Sequence, residues 1–137
     1  MKNKIFRNND AEYQSFFVEL VNQFTGSEPV SLDAEDFEVF RSFTGIVYVG
    51  EVELDALREN AAALATKEVI SYIDDFQSAT DVFIHIQGGS DIVDITTVNE
   101  ATAVVYDIAP NATCILDINL VDTPVDKIKV MVLAKIP

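Results

Sequence analysis

With 137 residues, 49% of them hydrophobic, and a mean hydropathy of +0.20, the chain can bury one core and is too short for two ordinary domains. Nine basic residues against 23 acidic ones give a formal net charge of −14, and eleven carboxylates fall between Glu68 and Asp126 without a single Lys or Arg. That field repels phosphate backbones and anionic lipid heads, which argues against nucleic acid and membrane as partners and for a solvated acidic surface.

Residues 1–10 are polar and basic, and with Lys2, Lys4 and Arg7 they read as a flexible leader ahead of one domain spanning 11–137. Tyr13, Phe16, Phe17, Leu20, Val21 and Phe24 then recur at i, i+3, i+4, i+7, i+8 and i+11, one stripe of a helix that Gly26 can stop. Gly26 to Ser31 has turn chemistry around Pro29, and a short helix from about Asp33 to Arg41 carries Phe37 and Phe40. Ile46 to Val49, between Gly45 and Gly50, is a buried strand. Leu54, Leu57, Ala61, Leu64, Ala65, Val69, Tyr72 and Ile73 repeat at helical spacing and predict the longest helix.

Val82 to Ile86 is the next strand, followed by a Gly88-Gly89 turn and a helix over about Asp94 to Ala109 that buries Ile95, Val98, Thr102, Val105 and Tyr106. Pro110 and Asn111 end it. Thr113 to Leu120 and Lys127 to Leu133 read as an antiparallel hairpin, the second strand an edge guarded by Lys127 and Lys129. The predicted class is α+β, a two-layer sandwich. Its mixed four-stranded sheet has βαβαββ order, is packed by helices and follows two further helices.

The only cysteine, Cys114, rules out an internal disulfide and suits a reducing cytoplasm. No apolar run follows the basic start as in a signal peptide, and none reaches the ~18 residues of a membrane span. The start at Met1 points to a separately encoded unit rather than an excised domain.

Val82-Phe-Ile-His-Ile-Gln-Gly-Gly, running through Ser90 to the helix bearing Val98-Asn99-Glu100-Ala101, resembles the carboxy-terminal domain of FtsZ, the bacterial tubulin relative. Ser31-Leu32-Asp33-Ala34-Glu35-Asp36-Phe37 is similar to that family's Asn-x-Asp-Phe-Ala-Asp-Val, with Ser31 in place of the Asn. The closing Ile128-Lys-Val-Met-Val-Leu-Ala134 is similar to its terminal strand. The likeness covers about residues 12 to 136, and nothing in the sequence resembles the family's glycine-rich GTP-binding signature or its membrane-tether tail. In FtsZ the Asp-bearing loop completes GTP hydrolysis in the next subunit. The resemblance therefore implies that Asp33 and Asp36 are candidate carboxylates acting in trans, where positioned acids orient a water or hydrated metal. The same two residues also read as an N-cap and a first-turn acid, worth about 0.5–2 kcal/mol to a helix start.

Three acids in four residues, Glu35 included, lack a distant His or Asp to make a metal shell, so no metal and no cofactor is expected. His85 alternates with Phe83 and reads as a core or sheet-face histidine. Gly88-Gly89 lacks the further glycines and Lys of a phosphate loop, and Ser90 and Cys114 have no visible base partner. No active site is complete within the chain, so it is not read as an enzyme. The expected function is an interaction module that caps or modulates FtsZ-type filaments through residues 27–36, with Ser31, Asp33, Glu35 and Asp36 at the contact. The alternative is a self-associating or small-ligand-binding domain that has lost GTPase function. Under either reading Tyr13, Phe16, Phe17 and Phe24 leave one flank of their helix bare and imply a homodimer.

Overall fold

The computed structural model describes residues 2–7, 10–24, 34–55, 60–89, 93–121 and 127–137, with the backbone alone for Lys2 and Val121. The elements in chain order are β1 (Lys2–Arg7), α1 (Ala11–Phe24), a 3-10 helix (Ala34–Phe40), β2 (Ile46–Asp55), α2 (Ala61–Ser71), β3 (Asp81–Gly89), α3 (Ile95–Ile108), β4 (Thr113–Val121) and β5 (Lys127–Ile136). A 3-10 turn, Phe76–Ser78, leads into β3.

The strands form one mixed sheet in the order β1-β2-β5-β3-β4. β5 runs antiparallel to both β2 and β3, and β3 and β4 are parallel. The α+β class and the helix-packed mixed sheet are as expected, and the departures have physical reasons.

The basic leader is a fifth strand. Lys2–Arg7 pairs antiparallel with β2, and Phe6 is buried against Tyr13 and Phe16 at ring separations of 5.2 and 4.8 Å. Lys4 reaches Glu12 at 2.8 Å and lies over the Phe6 ring, so the charges that suggest a solvated leader are those that guard an exposed sheet edge.

β4 and β5 are not a hairpin, because β3 lies between them. From Val130 to Ala134, β5 is apolar on both faces, with Val130, Val132, Leu133 and Ala134 all buried, which is the composition of a central strand.

β2 runs on to Asp55 opposite Lys127, so Leu54 belongs to a strand and α2 begins only at Ala61. α2 has 11 residues and is shorter than α1 and α3, with 14 each.

The sheet is covered on both faces. Ala62, Ala65, Val69, Ala101 and Val105 of α2 and α3 close over Tyr48, Val82, Ile84, Val130 and Val132. On the opposite face Tyr13, Phe17, Leu20 and Phe24 of α1, with Phe37 and Phe40, close over Phe6, Val47, Phe83 and Leu133.

α3 starts at an N-cap, Asp94, whose carboxylate accepts from the Thr97 backbone N–H at 2.9 Å. That bond and the Thr97 hydroxyl hold the Asp94 carboxyl below its ordinary range. Asp94→Ala is expected to speed hydrogen exchange in the first turn of α3 while leaving β3 protection unchanged. Ile95 and Tyr106, predicted inside, face out, and Ala101 and Val104 take the sheet side instead.

Candidate functional site

Two regions carry the polar chemistry. The first is the acidic segment singled out in the sequence. Ser31 and Asp33 lie outside the described residues, as does Ser90. Glu35 and Asp36 open the 3-10 helix, Glu35 exposed and Asp36 half-buried.

This helix is anchored firmly to α1. Phe37 and Phe40 are fully buried, and the Tyr13 hydroxyl donates to the Phe40 carbonyl. Burial raises the Tyr13 pKa, which keeps the phenol protonated as that donor. Arg41 grips Glu38 with two bonds of 2.7 and 3.0 Å and stacks on the Phe17 ring, 5.0 Å from its centroid. The hydrogen bonds from Arg41 lower the Glu38 pKa.

The predicted aromatic docking stripe is not bare. Tyr13, Phe17 and Phe24 are buried in the chain's own core and Phe16 is half-buried, because the second sheet face needs a cover and α1 provides it. The outward side of α1 shows Gln14, Ser15, Val18 and Glu19, with Val18 the large apolar group there. Homodimerisation through those aromatics would require unpacking the core.

The second region was not visible from sequence spacing. His85 of β3 and Asp117 of β4 are direct register partners, and both point to the α1 side of the sheet, beneath Phe24. The Phe24 ring lies against the imidazole, tilted by 58°, at a ring separation of 4.6 Å. His85 is 8% and Asp117 1% exposed. Their nearest approach, Nε2 to Oδ2, is 3.6 Å, beyond a hydrogen bond. Asp117 Oδ1 has no partner among the described residues.

Burial, reinforced by the Lys129 charge, lowers the His85 pKa to about 4, so the ring is neutral. Burial pushes Asp117 up to about 6, with the Ile118 backbone N–H partly offsetting it. A recess of about 150 Å³ opens beside the pair, lined by Gln23, Phe24, Gln87 and Asn119 as well. Asn119 Nδ2 donates to Gln87 Oε1 at 3.3 Å. The available signal was Asp117 itself, an acid within the apolar run 114–120, in phase with Ile115 and Asn119 on one strand face.

Other candidates resolve as structure. A larger recess, about 430 Å³, lies at the far end of α1 between Arg7, Asp10 and Arg41, where Arg41 is already committed to Glu38 and Phe17. Gly88 and Gly89 are the last residues of β3 rather than a turn, and a Cβ at Gly88 would come within 2.8 Å of Val93 Cγ2. That glycine is needed for close packing, not for cradling a phosphate. Cys114 is half-buried, and burial raises its thiol to about 11, far from a reactive thiolate. Among the described residues no three His, Cys, Asp or Glu side chains gather as a metal cluster. No helix among them is long and apolar enough to cross a membrane.

No protein-family model matches the sequence, and no curated protein matches it. Solved structures do match in fold. An empty FtsZ dimer from M. jannaschii superposes with a TM-score of 0.69 at 23% identity, covering 93% of this chain and 40% of that one. A point mutant of the M. jannaschii FtsZ gives 0.68 at 23% identity, covering 93% and 42%. TubZ in GDP-form protofilaments from Bacillus thuringiensis serovar israelensis gives 0.58 at 13% identity, covering 90% and 34%. This chain thus spans less than half the length of the structures it matches, and it has an FtsZ-like fold corresponding to one part of such a subunit.

Proposed function

We propose that this chain is an interaction module that docks on FtsZ-type subunits as the carboxy-terminal part of an incoming subunit would, and so caps or modulates their filaments. The supporting observation is the fold: nearly the whole chain superposes on part of an FtsZ subunit. The structures it matches include an FtsZ dimer and TubZ protofilaments. In this reading residues 27–36 meet the partner, and the anchored 3-10 helix holds Glu35 and Asp36 at a fixed position relative to α1. Rigid presentation is what a carboxylate needs to orient a water or hydrated metal at a partner's nucleotide. The net charge of −14 opposes approach to a nucleotide, so a metal ion or a basic partner surface must accompany docking.

Titration into polymerising FtsZ from the same organism, followed by light scattering and phosphate release, tests the proposal. The expected result is reduced polymer mass with altered turnover; unchanged mass and turnover at excess would remove it. Where turnover rises, Asp36→Ala and Asp33→Ala should return phosphate release to the rate of FtsZ alone while binding persists. A variant that still stimulates release assigns the effect to plugging the filament end.

A further inference from the structure

We propose that β4 is a self-pairing edge, through which two copies of this chain join antiparallel strands about a two-fold axis at Ile118 and extend their sheets into one. The inference goes beyond the filament reading and uses neither the 27–36 segment nor any FtsZ surface.

The two ends of the sheet are the first support. β1, at one end, carries Lys4 and Arg7, charges of the kind that keep an edge strand from pairing. β4, at the other end, has no such guard. Thr113–Val121 holds no Lys, Arg or Pro, and its nine residues pair with β3 in unbroken register, without a bulge. Cys114, Ile115, Leu116, Ile118 and Leu120 make both faces apolar, and the one acid, Asp117, is buried beneath Phe24. That is the composition of an inner strand in an outer place.

The backbone groups are the second support. The Thr113 N–H donates to the Thr80 carbonyl at 2.9 Å, so the odd-numbered residues of β4 spend their backbone groups on β3. Leu116, Ile118 and Leu120 direct theirs to the open side. Pairing about Ile118 sets Ile118 against the partner's Ile118 and Leu116 against the partner's Leu120, and each such pair exchanges two hydrogen bonds. Like charges stay apart, because Asp117 then faces the partner's Asn119. Asp117 Oδ1 has no partner among the described residues, and Asn119, which gives one amide hydrogen to Gln87 Oε1, keeps a second for it. The Ile118 N–H, turned to Asp117 in the single chain, passes to the partner's carbonyl.

The third support is α3, the crossover between β3 and β4. Ile95 and Tyr106, 77% and 43% exposed, stand about three turns apart on one flank of α3, opposite the buried Val104. Because α2 lies over β2 and β5 and packs against the other side of α3, that flank overhangs β4. With strands ~4.8 Å apart, helices seated over the two β3–β4 junctions of a joined sheet run roughly 10 Å apart, a normal packing distance. Two apolar side chains that the chain's own core leaves out are then covered.

Gel filtration with light scattering, at an ionic strength that screens the repulsion between two chains of charge −14, should give a particle of twice 15.1 kDa. Leu116→Pro removes an outward N–H and no bond to β3, so it should leave a folded monomer by circular dichroism. Ile95→Glu should weaken dimerisation by about tenfold or more. In a Cys114→Ser background, Ile118→Cys should cross-link two copies under mild oxidation, since the facing Cα atoms stand ~5.5 Å apart, within disulfide reach. Leu116→Cys should not, its two copies lying about 13 Å apart. A 15.1 kDa particle at every concentration overturns the proposal. A dimer that survives Leu116→Pro, or that cross-links through Leu116→Cys in place of Ile118→Cys, equally overturns it. If Leu116→Pro fails to fold, the two cysteine variants decide.

Discussion

Phe83→Ala is expected to destabilise the chain by about 3–5 kcal/mol, a large share of the ~5–15 kcal/mol that holds a typical domain folded. Phe83 is fully buried on β3, and its ring meets Phe24 of α1 at 5.2 Å and Phe37 of the 3-10 helix edge-on at 5.1 Å. Removing it opens a cavity under both elements at once, where a rigid sheet on one side limits collapse. Phe16→Ala, at a half-buried position beside Phe6, is the control and should cost less. Urea unfolding of the two variants measures the difference as a fall in midpoint at constant slope. A Phe16→Ala loss equal to or above that of Phe83→Ala would contradict the placement of the aromatic core.

The second large effect is a pair of opposite pH dependences. The folded His85 pKa, about 4, lies below the ordinary 6.5, so the unfolded chain binds the extra proton and stability rises with pH from about 4 to 6.5. The folded Asp117 value, about 6, lies above the ordinary 3.8, so the folded chain binds the extra proton and stability falls as pH rises from 3.8 to about 6. In the wild type the two slopes nearly cancel.

Asp117→Asn leaves the rising limb alone, and His85→Gln leaves the falling one. Each should diverge from wild type across pH 4 to 6.5 by on the order of 2–3 kcal/mol, in opposite directions. Urea midpoints of the three proteins at half-unit pH steps test this, since the remaining carboxylates titrate alike in all of them. Variants that diverge from wild type in the same direction would show that the two groups do not occupy this shared apolar site.

The aromatic side of the core was legible: the stripe Tyr13 to Phe24 runs at a clean helical period and does form α1, and Phe37 and Phe40 do lie in a short helix. Direction was not legible, because a helical stripe states that one side is buried and not what it is buried against. The same limit explains β5. Its opening Lys127-Ile128-Lys129-Val130 alternates like an edge, and only the continuous apolar run from Val130 shows that both faces are covered. Leu54 fits both a strand period and a helix period, and pairing with β5 decides for the strand. The His85 and Asp117 pair is a long-range juxtaposition across two strands 32 positions apart in register, which no local spacing encodes. Residues 27–33, where much of the predicted contact lies, fall outside the described residues.

Placing β5 at the centre of the sheet also governs how the chain reaches its native state. β1 and β2 form one strand pair and β3 and β4 another, and within the sheet the two pairs meet only through β5, which follows all four in the chain. Until Lys127–Ile136 emerges, β2 and β3 each expose an unpaired apolar edge to every other nascent chain nearby. Closure then requires long-range pairing with segments made far earlier, the slow kind of folding event. The ten-residue β5 thus acts as a keystone, and before its insertion the two strand pairs have no sheet in common.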